Sequence, residues 1–170
     1  KMTNQSTVFI HNDTIMKFGG YGYWSMRDFF TYYSEVTKEW EYYPVNNSAN
    51  SPPGVSNVNA IFSNDYFYFS GGSKCNPTSR LNEAKNNEVW RFDFKNTTWT
   101  DFGVAKFSSN VNEKILDIGN GRQLVVRKLN ATDEFNDKYS GKVDETLLWS
   151  YRAFIYDYKN NTISQLKDLS

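Results

Sequence analysis

The chain has one cysteine, Cys75, and one histidine, His11, among its 170 residues. No disulfide can form within it, and no site needing two such ligands can be assembled, which excludes zinc fingers, Cys–His nucleophile pairs and His-rich metal centres in one subunit. It has no run of the roughly 18 apolar residues that a membrane span requires, and its start lacks the basic, apolar and small-residue segments of a signal peptide, so a soluble chain is expected. It also lacks an excess of either charge, since 19 Lys and Arg balance 19 Asp and Glu. A polybasic nucleic-acid or membrane binder is therefore not the default reading. The chain opens Lys1-Met2 and not on an initiator methionine, so it is expected to be a segment of something longer.

What fills the sequence instead is aromatic. There are 13 Phe, 12 Tyr and 5 Trp against only six Ala, and β-branched and aromatic residues lie in short runs separated by Asn, Asp, Gly and Ser clusters. That pattern predicts an all-β chain of short strands joined by turns. The strands repeat. Val8 to Gly20, VFIHNDTIMKFGG, lies over Ala60 to Gly72, AIFSNDYFYFSGG, without a gap. A third copy runs over Ile115 to Lys128, with Asn120-Gly121 at the turn and Arg127-Lys128 in place of the paired glycines. The turn positions Asp13, Asp65 and Gly121 are 52 and 56 residues apart. Asn-Asp and Asn-Gly between apolar runs predict hairpins, because tight turns need residues that tolerate positive φ. Each copy continues into a second hairpin, in which Tyr33 to Trp40, Phe92 to Trp99 and Tyr156 to Ile163 are each seven residues apart.

A four-stranded unit of about 50 residues, with an apolar run ending in Gly-Gly and then an aromatic followed by a Trp, resembles the Kelch repeat of β-propellers. The resemblance covers Thr7 to Leu169. It rests on Gly19, Gly20, Tyr33 and Trp40 in the first unit and on Gly71, Gly72, Phe92 and Trp99 in the second. The third unit departs from it at Arg127-Lys128 and Ile163. The resemblance implies one propeller segment over residues 1–170, with three antiparallel four-stranded blades at about 7–45, 57–103 and 112–169. The glycines are expected to allow close chain approach, and Trp40 and Trp99 to be core between blades.

Propellers close with about four to eight blades, so three imply a partial ring with open apolar faces. The remaining blades are expected from a longer chain, from a second copy forming a homodimer, or from another protein. The long segments Gly20–Arg27, Ser73–Asn86 and Lys128–Glu145, with the connections Pro44–Asn57 and Gly103–Asn112, are all predicted on one face, the candidate for function. Tyr21, Tyr23, Trp24 and Arg27 offer aromatic rings and a donor fork suited to a sugar ring, a carboxylate or a peptide. Arg80, Arg127 and Lys128 would add positive charge near the channel mouth unless paired with carboxylates of neighbouring blades.

The cluster Asp133, Glu134, Asp137, Asp144 and Glu145 lacks calcium-loop spacing, because Phe135 and Lys138 fall where a ligand and a Gly are needed. No metal or cofactor is expected. The leading reading is a non-catalytic module that binds a protein, peptide or glycan through the long-loop face. Two alternatives stay open: part of a carbohydrate-active propeller enzyme, resembling the copper radical oxidases or sialic-acid epimerases, with catalytic residues in other blades, or an assembly scaffold using open blade edges. The oxidase chemistry needs two His, and this chain has one. The Asn- and Tyr-rich, Cys-poor composition leans toward a bacterial extracytoplasmic or secreted protein.

Overall fold

The computed structural model describes residues 5–22, 25–46, 50–63, 65–76, 79–106, 113–129 and 150–166, without the side chains of 76, 79–82, 113–114, 127–129 and 150–152. Among the described residues every regular element is a strand, and no helix is long and apolar enough to cross a membrane. The chain divides into two compact units, Lys1–Ser109 and Asn110–Ser170.

In the first unit β1 (Thr7–His11), β2 (Thr14–Phe18), β3 (Phe30–Ser34) and β4 (Glu39–Tyr42) form one antiparallel sheet in chain order. The second sheet holds β6 (Asn59–Ser63), β7 (Tyr66–Ser70), β10 (Glu88–Asp93) and β11 (Thr98–Val104). β5 (Val55–Ser56), just before β6, and β8 (Ser73–Asn76) and β9 (Ser79–Lys85), between β7 and β10, make a small third sheet in the order β5-β8-β9. The second unit is one sheet of β12 (Glu113–Gly119), β13 (Arg122–Leu129), β14 (Ser150–Asp157) and β15 (Thr162–Gln165) in chain order. The fold is all-β, and its four-stranded antiparallel sheets have the blade architecture of a β-propeller.

The turns follow from residue chemistry. Asn12 and Asp13 have φ of 47° and 59°, and Asn120 and Gly121 have 56° and 74°, the pair of positive values that two-residue hairpins need. In the outer hairpins Asp93 Oδ1 accepts the Lys95 and Asn96 amides at 2.9 and 3.1 Å, and Asp157 Oδ1 accepts the Lys159 and Asn160 amides at 2.9 and 3.2 Å. Ser34 does this work in the first sheet, its Oγ accepting the Thr37 amide at 3.2 Å. Four residues beyond each of these, Lys38, Thr97 and Asn161 adopt φ of 58°, 53° and 47°. The repeat is thus present in the backbone of all three four-stranded sheets.

In the first unit the two large sheets meet across an aromatic core of Phe18, Phe30, Phe67, Phe69, Phe92 and Trp99. Phe30 stacks on Trp99 at 5.5 Å between centroids and 7° between planes, and Phe9 stacks on Phe67 at 4.9 Å. Burying such rings supplies the hydrophobic stabilisation of a chain with few aliphatics. The second unit buries Val125, Tyr156 and Tyr158, and the Tyr158 hydroxyl donates to Gln123 Oε1 at 3.0 Å.

Three expectations need correction. Trp99 is core at 6% exposure, but Trp40, at the same repeat position, is 41% exposed. Its ring faces away from the second sheet, with the Lys17 ammonium 3.6 Å from its centroid. Ser73–Asn86 is not a loop but mostly the β8–β9 hairpin, because its backbone finds partners in β5. Lys128 belongs to strand β13, paired with Tyr151, and not to the segment after it.

Candidate functional site

The segment after β2 turns on itself, with the Gly22 amide donating to Ser25 O at 2.8 Å, and its two limbs pair through Tyr21 and Met26. Arg27 then pairs with Val55: the Val55 amide donates to Arg27 O at 3.0 Å, and the Gly20 amide donates to Val55 O at 2.7 Å. Val55 continues into β5, which pairs with β8, and β8 with β9. Segments from three separate stretches of sequence thus form one hydrogen-bonded platform at the ends of the first two blades. Loops joined this way are pre-organised for binding, since ordering costs are met in folding.

Side chains lock the same platform. The Met26 amide donates to Cys75 Sγ at 3.3 Å, so the free thiol, half-buried, acts as an acceptor inside the structure. Asn86 Nδ2 donates to Gly71 O at 2.9 Å, and the Asn86 amide donates to Gly72 O at 2.9 Å, closing the base of the β8–β9 hairpin. Gly19, Gly20, Gly71 and Gly72 all have φ between 66° and 86°. At Gly72 a Cβ would strike the Ser56 carbonyl oxygen, so here the glycine is required both by its φ and by close approach of the neighbouring chain.

Lys74 Nζ pairs with Glu88 Oε1 at 2.6 Å, and the Trp90 indole donates to Glu88 Oε2 at 3.0 Å, tying the hairpin to the blade beneath. Burial works against the Glu88 charge, but the Lys74 and Trp90 hydrogen bonds outweigh it and hold its pKa below the ordinary carboxylate value.

Arg27 and Tyr21 are the sequence-selected residues whose side chains can be followed here. Arg27 is half-buried, with its guanidinium carbon 5.4 Å from the Phe29 ring centroid. Among the described residues no carboxylate pairs with it. Tyr21 is half-buried on the same turn, paired with Met26. Tyr23 and Trp24 lie outside the described residues, as do Asp133, Glu134, Asp137, Asp144 and Glu145. Arg80 lies on β9, with its side chain outside the description. Arg127 belongs to β13 of the second unit, its backbone between Glu113 and Arg152.

The connection after β4 departs from the expected course. Instead of staying on the long-loop face, it reaches the β10–β11 turn, where the Asn46 amide donates to Thr97 O at 3.0 Å. A cavity of about 290 Å³ lies beside its first residues, lined by His11, Asn12, Thr14, Met16, Tyr32 and Tyr43. Sequence reasoning missed this cavity, because the connection that closes it is remote from the β1–β2 turn. His11 stacks on Phe94 at 4.2 Å, and its Nε2 lies 3.3 Å from the side-chain Nδ2 of Asn12. Burial lowers its pKa, against the opposing charge of Asp65. His11, Thr14 and Tyr32 of this cavity are engaged with Asn12 and Glu41, which leaves the Arg27 platform as the stronger candidate. Among the described residues no cluster of three His, Cys, Asp or Glu could hold a metal ion.

The fold and the platform define a protein with β-propeller-like blades that presents a built loop face. Among solved structures, that of YjhT is similar over 98% of this chain, with a TM-score of 0.59 and 14% identity. The chain spans about half of that neighbour, 52% of its length. No protein-family model matches the chain, and no curated protein matches it.

Proposed function

We propose that this chain is a Kelch-type propeller segment whose loop platform binds a carboxylate-bearing peptide or glycan. The observation that carries the reading is Arg27: a guanidinium without a carboxylate partner among the described residues, near the Phe29 ring, on a turn that also carries Tyr21 and is hydrogen-bonded into Val55. A planar donor fork recognises a carboxylate through two parallel hydrogen bonds, while a neighbouring aromatic ring covers a sugar or peptide face. Arg80 would extend the positive field, and Tyr23 and Trp24, on the same turn in sequence, would extend the aromatic surface. Catalysis is not part of this reading.

The test is binding of the labelled chain to arrays of acidic and neutral glycans and peptides, followed by titration of the strongest hits. Saturable binding that prefers acidic members and falls about tenfold or more in Arg27→Ala supports the reading, tenfold being the loss of one charge-assisted hydrogen bond. Binding indifferent to Arg27→Ala, or turnover of a bound sugar, would overturn it.

A further inference from the structure

The outward face of the β1–β4 sheet is largely apolar and exposed, with Lys17 and Thr31 among its residues. Val8, Ile10, Ile15, Trp40 and Tyr42 are 58%, 66%, 47%, 41% and 72% exposed. They share one face, because Ile10 pairs with Ile15, Val8 with Lys17, Lys17 with Thr31, Thr31 with Tyr42, and Tyr33 with Trp40. Five large exposed apolar side chains gathered on one sheet face mark an interaction surface and not ordinary scattered exposure.

The repeat states what covers such a face. In the second blade the matching positions are Ala60, Phe62, Phe67, Phe69, Phe92 and Trp99, and the last four are at most 6% exposed. They are buried by the opposite face of the first blade, where the row Phe9, Met16 and Tyr32 runs across three strands. Trp99 lies 5.3 Å from Phe18 and 5.5 Å from Phe30. The occupant that fits the Trp40 face is therefore another four-stranded sheet presenting an apolar row in the positions of Phe9, Met16 and Tyr32.

The chain contains such a sheet. In β12–β14, Leu116 pairs with Leu124 and Leu124 with Ile155, the same cross-strand row, and the bulge between Asp117 and Gly119 brings Leu116 to the place of Phe9. Leu116 is 61% exposed and Ile118 37%. We propose that the β12–β15 sheet of a second copy of this chain docks on the Val8–Ile10–Trp40 face. Two copies together also match the length of the YjhT chain, of which one copy spans 52%.

The experiment is light scattering coupled to size exclusion over a range of concentrations. The wild-type chain should form a species of twice 19.8 kDa, or a longer series of copies. Ile10→Glu and Leu116→Glu alter exposed side chains, so each should fold, as circular dichroism checks, and each alone should abolish association. Mixing the two variants should restore weakened pairing, because one Ile10 face and one Leu116 face remain intact in a mixed pair. A wild-type chain that stays monomeric at the highest concentration reached overturns the proposal. So does association lost in Ile10→Glu but untouched in Leu116→Glu, which would mean that two Trp40 faces meet each other.

Discussion

The first and second blades carry the same aromatic at the same repeat position, yet Trp99 is buried between two sheets and Trp40 stands in the open with Lys17 over its ring. The repeat motif therefore specifies the half of an interface that one sheet contributes, and burial comes from whichever sheet lies next to it. The sharpest way to break this comparison is truncation at both positions. Trp99→Ala removes a ring packed on Phe18, Phe30 and Phe92 and should cost about 3–5 kcal/mol in the first unit's unfolding free energy. Trp40→Ala should cost far less. Equal losses in urea unfolding followed by far-UV signal would mean that each Trp acts within its own sheet.

A smaller effect separates strain from crowding at glycine. Gly72 and Gly103 both have φ of 76°, but a Cβ at Gly72 would meet the Ser56 and Asn57 carbonyls, whereas nothing lies within 4 Å of one at Gly103. Alanine at Gly103 carries only the backbone cost, about 1–2 kcal/mol. Alanine at Gly72 should cost more, because the β5 chain must also move. Comparable destabilisation of the two variants in the same unfolding assay would show that the β5–β8 approach is easily relaxed.

The sequence disclosed the parts of the fold that short-range chemistry decides. Asn12-Asp13 and Asn120-Gly121 announce their turns because few residues tolerate positive φ, and the seven-residue step from Phe92 to Trp99 is a cross-strand pair within one hairpin. Where pairing is long-range, legibility ended. Ser73–Asn86 reads as loop because SKCNPTSRLNEAKN has no apolar alternation, yet its first strand pairs with β9 and, far back in the chain, with Val55–Ser56. Trp40 read as core for a related reason: a residue type states suitability for burial, while exposure is fixed by a neighbour. Of the candidate site, Tyr21 and Arg27 were legible as a turn between a glycine pair and a strand. The partnership of Arg27 with Val55, and the role of Cys75 as an acceptor, depend on tertiary contacts that no local pattern encodes.

The anchor of the platform predicts a modest pH effect. Glu88 has a folded pKa below its ordinary value, so its contribution is fully present above the unfolded pKa and is lost as pH falls through the folded one. Glu88→Gln should therefore destabilise the first unit by about 1 kcal/mol near neutral pH. The gap between variant and wild type should begin to shrink as pH falls past the ordinary carboxylate pKa of about 4.3 and close only below the lower folded pKa. His11, whose protonation is opposed by burial, also loses stability as pH falls. Because His11 is common to both proteins, the difference between them isolates Glu88. A gap that persists unchanged into acid would mean that the Trp90 indole and Lys74 hold the side chain by shape and not by charge.

The smallest effect returns to the exposed end of the comparison. Among the described residues Trp40 is approached edge-on by Tyr33 at 5.7 Å and by the Lys17 ammonium at 3.6 Å from the ring. Each contributes about 0.5–1 kcal/mol at an exposed site, and removing both also frees the remaining side chains. Trp40→Ala should thus shift the unfolding free energy of a dilute, unassociated chain by less than about 1 kcal/mol. The same substitution should matter more as concentration rises, because association that buries the ring adds a stabilisation set by mass action. Melting temperatures of wild type and Trp40→Ala measured across a dilution series would therefore diverge with concentration. Parallel curves would mean that the ring adds nothing to association, and that Val8, Ile10 and Ile15 supply the apolar contact on that face.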